Sequence, residues 1–331
     1  MEKSSRIYVA GHKGLVGSAI VRALRRQEHD NLILRSHAEL DLTNRPAVQA
    51  FFDQHRPEYV FLAAAKVGGI LANDTYPADF IRENLEIQTS VIDAGFRCGV
   101  KRLLFLGSSC IYPKLAPQPI KEEYLLTGPL EPTNRAYAMA KIAGIEMCWS
   151  YNRQYGTKYL AVMPTNLYGP GDNFDLQGSH VLPALMRKVV EAKLAGEKKL
   201  VVWGTGRPRR ELLYSDDLAE ACLHLLNLPD AVYDALLGTH EAPLINVGTG
   251  EDITIRELAE LVARVLDFDC QLVFDTSKQD GTPQKLLNVS RIHALGWRAK
   301  VSLEEGIQRT YAFSQSQLQR QDSEDPSAMP R

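Results

Sequence analysis

Short apolar runs alternate with longer amphipathic segments along the first half of the chain. The apolar runs have strand length and lie at 7–10, 32–34, 60–63, 103–106 and 160–163. Segments with the helical spacing of apolar residues lie at 18–27, 45–55, 80–98 and 137–155. Continuous apolar strands that alternate with helices are typical of a parallel sheet covered on both faces. The pattern therefore predicts an α/β fold with a doubly wound parallel sheet of the Rossmann type.

The pattern changes after about Pro164, where proline and glycine become dense. Beyond that point it predicts a helix over 181–194, a strand over 200–203 and a helix over 253–266, with Thr254 as N-cap and Glu257 completing a capping box. We predict a Rossmann domain over 1–165, to which segments near 214–228 and 244–249 return. A smaller mixed α/β lobe over 166–312 and a mobile tail over 313–331 complete the chain.

Composition narrows the class of protein. The 331 residues are 45% hydrophobic and 24% charged, which is typical of a globular chain with about two domains. A formal net charge of −2 favours neither nucleic acid nor a membrane surface as partner. Five cysteines without CxxC spacing predict no metal site and no disulfide framework. With no apolar signal or membrane-spanning segment, the expected location is the cytoplasm.

A glycine-rich turn joins the first predicted strand to the first predicted helix. Its residues are Gly11, His12, Lys13, Gly14, Leu15, Val16 and Gly17, with the glycines spaced G-x-x-G-x-x-G. The first glycine allows a tight turn, the second lets a pyrophosphate approach the backbone, and the third lets helix and strand pack closely. The helix N-terminus offers unpaired N–H groups to the phosphates. The turn predicts a dinucleotide site; a tight turn without a ligand is the alternative.

The choice between NADP and NAD depends on the residues that follow the second strand. NAD-selective proteins commonly place an acid there for the ribose hydroxyl, whereas this sequence has Arg35, Ser36 and His37, with Lys13 in the glycine turn. Positive charge suits a 2′-phosphate, so we predict NADP(H). Asp41 is expected on the adenine side. The alternative is that Arg35 and Lys13 are solvated surface cations.

Tyr137 and Lys141 lie one helical turn apart. A neighbouring ammonium favours phenolate, so Lys141 is expected to lower the pKa of Tyr137 and make it a proton donor to a carbonyl, while also holding the nicotinamide ribose. Ser108 follows the fourth strand, where ligands of such sheets bind, and can hydrogen-bond the same carbonyl. An exposed helical pair is the alternative interpretation.

Together these features resemble the extended short-chain dehydrogenase/reductase family, whose members act on nucleotide sugars. The resemblance covers about Arg6 to Tyr311 and is carried by the segments 63–70, 106–114, 163–170, 179–181, 202–204 and 280–283. Within that family it implies the NADPH-dependent branch that acts on GDP-4-keto-6-deoxy-mannose, epimerising carbons 3 and 5 and then reducing carbon 4. Ser109 and Cys110 stand where dehydratases of the superfamily carry an Asp-Glu pair, which disfavours a 4,6-dehydratase.

The resemblance also implies residue roles. A keto group at carbon 4 acidifies the hydrogens of carbons 3 and 5, and Cys110 is implied as the base and His180 as the acid. A thiol of lowered pKa and an imidazole both exchange protons near pH 7. The alternatives are a buried, unreactive cysteine and a structural histidine.

The remaining implied residues bind cofactor or substrate. The implied cofactor set, besides the glycine turn, Arg35 and Asp41, is Ala64, Leu106, Gly107, Ser108, Lys141, Pro164, Thr165, Asn166, Leu167 and His180. The implied substrate set is Lys188, Trp203, Arg210, Asp280 and Lys285. Each cation has a surface role as its alternative, and Trp203 could equally belong to the core.

Two apolar helices suggest an assembly. The segments 80–98 and 137–155 carry apolar residues beyond one core face, including Ile142, Ile145, Met147 and Trp149. Superfamily members pair these helices, so we predict a homodimer. Two other functions stay open: a 4-epimerase or 4-reductase for another nucleotide sugar, and a non-catalytic NADP-sensing protein.

Overall fold

The computed structural model describes residues 1–174, 179–238, 241–278 and 280–324, with side chains described to residue 315. The strands in the described part of the chain are β1 (Ile7–Ala10), β2 (Leu32–Ile33), β3 (Tyr59–Leu62), β4 (Arg102–Leu106), β5 (Tyr159–Pro164), β6 (Asn166–Tyr168), β7 (Lys199–Trp203), β8 (Arg209–Tyr214), β9 (Leu244–Val247), β10 (Asp252–Thr254), β11 (Gln271–Asp275) and β12 (Gln284–Lys285). The α-helices in the same ranges are α1 (Leu15–Arg26), α2 (Arg45–His55), α3 (Ile70–Thr75), α4 (Pro77–Arg97), α5 (Arg135–Tyr155), α6 (Val181–Leu194), α7 (Ser215–Leu226), α8 (Asp230–Leu236), α9 (Ile255–Val265), α10 (Ser290–Ala294) and α11 (Leu303–Glu324).

Six strands form one parallel sheet in the order β2-β1-β3-β4-β5-β9. The predicted Rossmann-type α/β fold is therefore confirmed. The chain moves to opposite sides of β1 to form β2 and β3, which opens a crevice at the carboxyl ends of these strands. The four residues of β1 and the five of β4 are all buried, as expected for strands covered by helices on both faces.

Helices α2, α4 and α5 are joined by one buried carboxylate. Asp93 accepts hydrogen bonds from Arg45 at 2.6 Å, from Arg97 at 2.9 Å and from the Tyr151 hydroxyl at 2.9 Å. The pKa of Asp93 is lowered because these hydrogen bonds outweigh the opposing effect of burial. The network fixes α4 and α5 behind the strands that carry the site.

The second lobe is assembled from short strands that are far apart in sequence. Strand β8 pairs with β6 and β12 in parallel and with β10 in antiparallel fashion, and β7 pairs with β11. Helix α9 begins with the predicted capping box of Thr254 and Glu257. The predicted start at residue 253 was wrong, because Ile253 pairs with Arg210 as part of β10. The lobe has its own core, which includes α6 and α9.

The chain returns to the large sheet after β8. Strand β9 pairs with β5 at the sheet edge, and α7 packs against α1, where Arg22 and Asp216 form a salt bridge.

The division into domains at residue 165 stays a prediction. Helix α11 includes residues 313–324 of the predicted tail, and 325–331 lie outside the described residues. None of the helices in the described ranges is long and apolar enough to cross a membrane.

Candidate active site

The glycine turn leaves a cradle above β1. Gly11 has φ +81°, and a Cβ there would come within 2.8 Å of the Ala64 backbone. A Cβ at Gly17 would overlap the Gly11 carbonyl, because α1 packs directly on the turn. At Gly14 the nearest atom to such a Cβ would be 3.5 Å away, so this side of the turn is open. Gly11 and Gly17 are needed because a side chain there would collide with the backbone. Gly14 is needed because a ligand must be able to approach the turn on its open side.

The N-terminus of α1 faces this cradle without a competing anion. Gly14 is the N-cap, no side chain caps the helix, and its first turn contains no acidic residue. The helix therefore presents N–H groups and a positive dipole end to a ligand phosphate. A pyrophosphate fits these residues.

A charged corner lies beyond β2. The Arg35 guanidinium lies 5.8 Å from the centre of the Phe51 ring and 3.3 Å from His55 Nε2. Arg35 and Lys13 both lower the pKa of the exposed Glu39 carboxyl, after the larger effect of its hydrogen bonds from Ser36. Lys13 and Arg35 thus both act on the carboxylate of Glu39, which the sequence did not indicate, and their binding of a 2′-phosphate stays a prediction. Asp41 accepts hydrogen bonds from the Thr43 N–H and hydroxyl at 2.9 and 2.8 Å and stabilises the turn before α2.

The other predicted cofactor residues lie along the carboxyl edge of the sheet. Ala64 follows β3, Leu106 and Gly107 stand at the end of β4, and Pro164 ends β5. Thr165 and Asn166 come next, and both donate side-chain hydrogen bonds to the Glu211 carbonyl, at 3.2 and 2.9 Å. Leu167 continues into β6. The edge of three strands thus lines one side of the cleft.

Ser108, Tyr137 and Lys141 meet at the end of β4. The Ser108 hydroxyl lies near that of Tyr137 and lowers its pKa, and the Tyr137 ring packs edge-on against Phe80. The Lys141 ammonium is buried, donates to the Leu106 carbonyl at 2.7 Å and lies 5.8 Å from the centre of the Tyr137 ring. The alternative of an exposed helical pair is therefore excluded.

The predicted effect of Lys141 on Tyr137 was wrong. Burial raises the pKa of Tyr137 well above its ordinary value, the nearby Cys110 raises it further, and only the Ser108 hydroxyl opposes them. Burial also lowers the pKa of Lys141 to about 8. The low-polarity surroundings disfavour both charged forms, so Tyr137 is a neutral phenol that holds its proton at neutral pH.

Cys110 lies in a 3-10 turn, Ser109–Ile111, directly after Ser108. Burial raises the pKa of the thiol, whereas Lys285, Ser108 and Lys141 lower it to a smaller extent. The expectation of a thiol pKa below the ordinary value was therefore wrong, because burial outweighs the neighbouring cations. The Cys110 N–H donates to Ser108 Oγ at 3.4 Å, which joins the thiol to the Ser–Tyr–Lys group.

His180 reaches the same region from the second lobe. It is the N-cap of α6 and part of its surface is exposed. Its pKa is lowered mainly because protein atoms around the imidazole displace water, and further because Lys285 is positively charged. Lys285, on β12, therefore acts electrostatically on both Cys110 and His180. Lys285 was predicted among the nucleotide- and sugar-binding residues; its charge in addition favours the thiolate of Cys110 and disfavours the charged form of His180.

A second set of cations surrounds an indole. Trp203 is 55% exposed, so the alternative of a core residue is excluded. The Lys188 ammonium lies 4.7 Å from its ring centre and donates to the Val201 carbonyl at 3.0 Å. Lys278, which the sequence analysis missed, lies 5.5 Å from the same ring. Arg187 points elsewhere and pairs with Glu191.

Arg210 and Asp280 are held by hydrogen bonds within the second lobe. Arg210 donates to the Thr282 carbonyl at 2.6 Å, and Asp280 accepts from the Thr205 N–H and hydroxyl at 2.9 and 2.6 Å. Burial lowers the pKa of Arg210, and Asp280 opposes this. The five predicted substrate residues all belong to the second lobe, and their contact with a substrate stays a prediction.

The fold, the glycine turn and the Ser–Tyr–Lys group define a nicotinamide-dependent oxidoreductase of the short-chain dehydrogenase/reductase type, with a cysteine next to Ser108. Sequence comparison is consistent with this class and narrows it. The profile of the NAD dependent epimerase/dehydratase family matches residues 7–237, and the chain belongs to that family.

Relatives of known name are similar over almost the whole chain. GDP-L-fucose synthase 1 of Arabidopsis thaliana is 58% identical over 94% of this chain and 93% of its own length. GDP-L-fucose synthase of Escherichia coli K12 is 54% identical over 93% and 96%. Among solved structures, a GDP-mannoheptose C4 reductase from Campylobacter jejuni with NADP bound superposes with a TM-score of 0.85 at 41% identity, covering 95% of this chain and 99% of that one.

Proposed function

We propose that this protein converts GDP-4-keto-6-deoxy-D-mannose to GDP-L-fucose, by epimerisation at carbons 3 and 5 followed by NADPH-dependent reduction at carbon 4. The observation that carries the proposal is the meeting of two kinds of centre in one cleft. Ser108, Tyr137 and Lys141 suit reduction of a carbonyl, and Cys110 and His180 suit proton exchange beside it. A simple reductase or 4-epimerase would not need the second pair.

The cofactor is proposed to bind along the carboxyl edge of the sheet. The glycine turn and the N-terminus of α1 would hold its pyrophosphate, and Arg35 with Lys13 would favour a 2′-phosphate because both are cations that act on this corner. NADPH, when bound, supplies the hydride for carbon 4. Lys141 is proposed to hold the nicotinamide ribose with a hydrogen bond from the buried ammonium.

The reduction depends on a proton that Tyr137 carries. Its hydroxyl and that of Ser108 are proposed to hydrogen-bond the carbon 4 oxygen, and Tyr137 passes its proton to that oxygen as negative charge develops there. Because burial keeps Tyr137 neutral, the proton is present at physiological pH. Ser108 holds the oxygen in line, which the closeness of the two hydroxyls already prepares.

Epimerisation is proposed to use two groups that come from different lobes. Cys110 comes from the sheet side and His180 from the second lobe, so a sugar ring between them can lose a proton on one face and gain one on the other. The carbon 4 ketone acidifies both neighbouring carbons, which lets one pair serve carbons 3 and 5. The cations Lys188 and Arg210 are proposed to bind the diphosphate, with the base near Trp203.

The test is turnover of the proposed substrate with NADPH, followed by NMR of the product. Formation of GDP-L-fucose, with no turnover of UDP-sugars, is expected. Retention of tightly bound NAD and turnover of UDP-glucose would instead identify a 4-epimerase. Binding of NADPH without turnover of any 4-keto sugar would identify a non-catalytic protein.

A homodimer in the cytoplasm is also proposed. Two of the four residues cited for the dimer face, Ile142 and Ile145, belong to the core of the subunit, so the earlier argument from them was wrong. The other two, Met147 and Trp149, are half-buried and still support the proposal, and Met139, 42% exposed on α5, adds to them. Sedimentation at micromolar concentration is expected to give twice the mass of the chain, and a single-chain mass would contradict it.

All five cysteines are free thiols, which suits a reducing compartment.

A further inference from the structure

One buried carboxylate near the cleft has no part in the chemistry described so far. Glu211 is 0% exposed and stands on β8 beside Arg210. Because successive side chains of a strand point to opposite faces, Arg210 can face the cleft while Glu211 faces the interior. A buried carboxylate is costly unless hydrogen bonds compensate it, so its partners indicate its purpose.

The Glu211 carboxylate accepts backbone N–H groups from two distant segments, and the Thr165 side chain also lowers its pKa. Oε1 accepts the Gly250 N–H at 2.8 Å, in the turn after β9, and Oε2 accepts the Leu287 N–H at 2.9 Å, just after β12. A Cβ at Gly248 would overlap the carboxylate, so the turn passes directly against it. Burial raises the pKa of Glu211, and these N–H groups oppose that effect.

The segment that Glu211 holds is the one that carries Lys285. Lys285 pairs with Arg210 in the register of β12 and β8, and the Leu287 N–H lies two residues further on. From the other side, Gln118 Oε1 accepts the Leu286 N–H at 2.9 Å. The backbone that follows Lys285 is thus held by two acceptors on consecutive N–H groups.

We infer that Glu211 is a positioning residue: its carboxylate holds the strand that presents Lys285 to Cys110 and His180, with Gln118 fixing the same strand from the opposite side. The importance of this arrangement for turnover rests on the proposed function, in which Cys110 carries a proton. The positioning itself does not, and it can be measured without a sugar.

The charged and titratable groups around the thiol define the readout. Cys110 interacts electrostatically with Tyr137 and Lys141 of α5 and with Lys285 of β12. Lys285 in turn interacts with His180 and Arg210. Among these, the Lys285 ammonium is the group that favours the thiolate most strongly. Because only the thiolate reacts with iodoacetamide, the rate at which Cys110 is alkylated reports where that ammonium lies.

The experiment measures alkylation of Cys110 in the full-length protein at pH 8, by mass spectrometry of its peptide. Loss of the ammonium in Lys285→Met is expected to slow the reaction about tenfold, equivalent to a thiol pKa about one unit higher. Glu211→Gln is expected to slow it about threefold or more, because the amide presents an NH2 group where a second acceptor is needed. In the Lys285→Met background, Glu211→Gln is expected to add nothing, since the two act through one group.

Two controls separate positioning from loss of stability. Asp217 is another buried carboxylate that accepts two backbone N–H groups, from Lys300 and Val301, away from the cleft. Asp217→Asn is expected to leave Cys110 alkylation unchanged. The half-buried Cys98 and Cys270 are expected to react at the wild-type rate in every variant.

The inference is overturned if folded Glu211→Gln reacts at the wild-type rate, or if it slows alkylation equally when Lys285 is absent. Should Glu211→Gln not fold, Gln118→Ala decides, because it removes the acceptor for Leu286 from a half-buried side chain whose other hydrogen bond is a local one to the Ala116 carbonyl at 3.3 Å. A reduction of about twofold, lost in the Lys285→Met background, supports the inference; no change contradicts it.

Discussion

The two walls of the cleft are built in different ways. On the sheet side, each functional group follows a buried parallel strand directly: Gly11 after β1, Ser108 after β4 and Thr165 after β5. On the opposite side, Arg210 and Lys285 come from short strands that are distant in sequence and meet only through pairing of β8 with β12. The first wall is determined by local sequence beside a large core. The second depends on long-range hydrogen bonds such as those of Glu211 and Asp280.

This difference predicts that substitutions on the sheet wall affect discrete chemical steps. Those on the second wall are expected to act through the position of neighbouring groups.

Tyr137→Phe is expected to have the largest effect. Without the phenolic proton, reduction at carbon 4 falls by about 10³-fold, whereas exchange of solvent deuterium into carbons 3 and 5 continues. Cys110→Ser is expected to reverse this balance and to slow exchange more than reduction. NADPH oxidation and NMR of the recovered sugar measure the two steps. Equal loss of both steps in both variants would contradict the separate roles.

Lys141 provides a test that needs no substrate. Its pKa is about 8 in the folded protein against 10.5 in the unfolded chain, so the unfolded chain binds more protons between these values and stability rises with pH there. The contribution amounts to about 3 kcal/mol between pH 8 and pH 10.5. Lys141→Met is expected to lose this rise relative to wild type in urea unfolding without cofactor. Parallel pH dependences of the two proteins would show that Lys141 is not held in a low-polarity site.

The glycine turn separates packing from binding. Gly17→Ala places a Cβ on the Gly11 carbonyl and is expected to reduce the free energy of unfolding by about 2 kcal/mol, with or without cofactor. Gly14→Ala meets only an ordinary contact, so its stability is expected to stay close to wild type while its affinity for NADPH falls. Urea unfolding and fluorescence titration measure the two quantities. A Gly14→Ala protein that binds NADPH normally would refute a pyrophosphate at this position.

Arg210→Lys tests the second wall and is expected to have the smallest effect. The charge is kept, but the planar fork that donates to the Thr282 carbonyl is lost. KM for the sugar nucleotide is expected to rise about tenfold with little change in kcat, since a charge-assisted hydrogen bond contributes about 1.5–3 kcal/mol. Steady-state kinetics give both constants. A fall in kcat with no change in KM would show that Arg210 contacts the reacting part of the sugar and does not bind the nucleotide.

The sequence predicts the sheet wall well because its signals are local. Helices α2 and α6 have the predicted bounds, and the strand ends that carry Gly11 and Ser108 lie where the apolar runs end. What it could not predict depends on burial and on long-range pairing. The pKa of Tyr137 follows from the apolar surroundings of α5, and the neighbours of Lys285 follow from β12, which has only two residues. The exposure of Trp203 likewise depends on how β7 lies at the lobe surface.

The central claim is that one cleft combines proton exchange at two carbons with reduction at a third. The most direct test is a single reaction of GDP-4-keto-6-deoxy-mannose with NADPH in D2O, with the product examined by NMR. The account predicts GDP-L-fucose with deuterium at carbons 3 and 5 and protium at carbon 4. A 4-reduced product without deuterium at carbons 3 and 5 would show a simple C4 reductase and contradict the role given to Cys110 and His180.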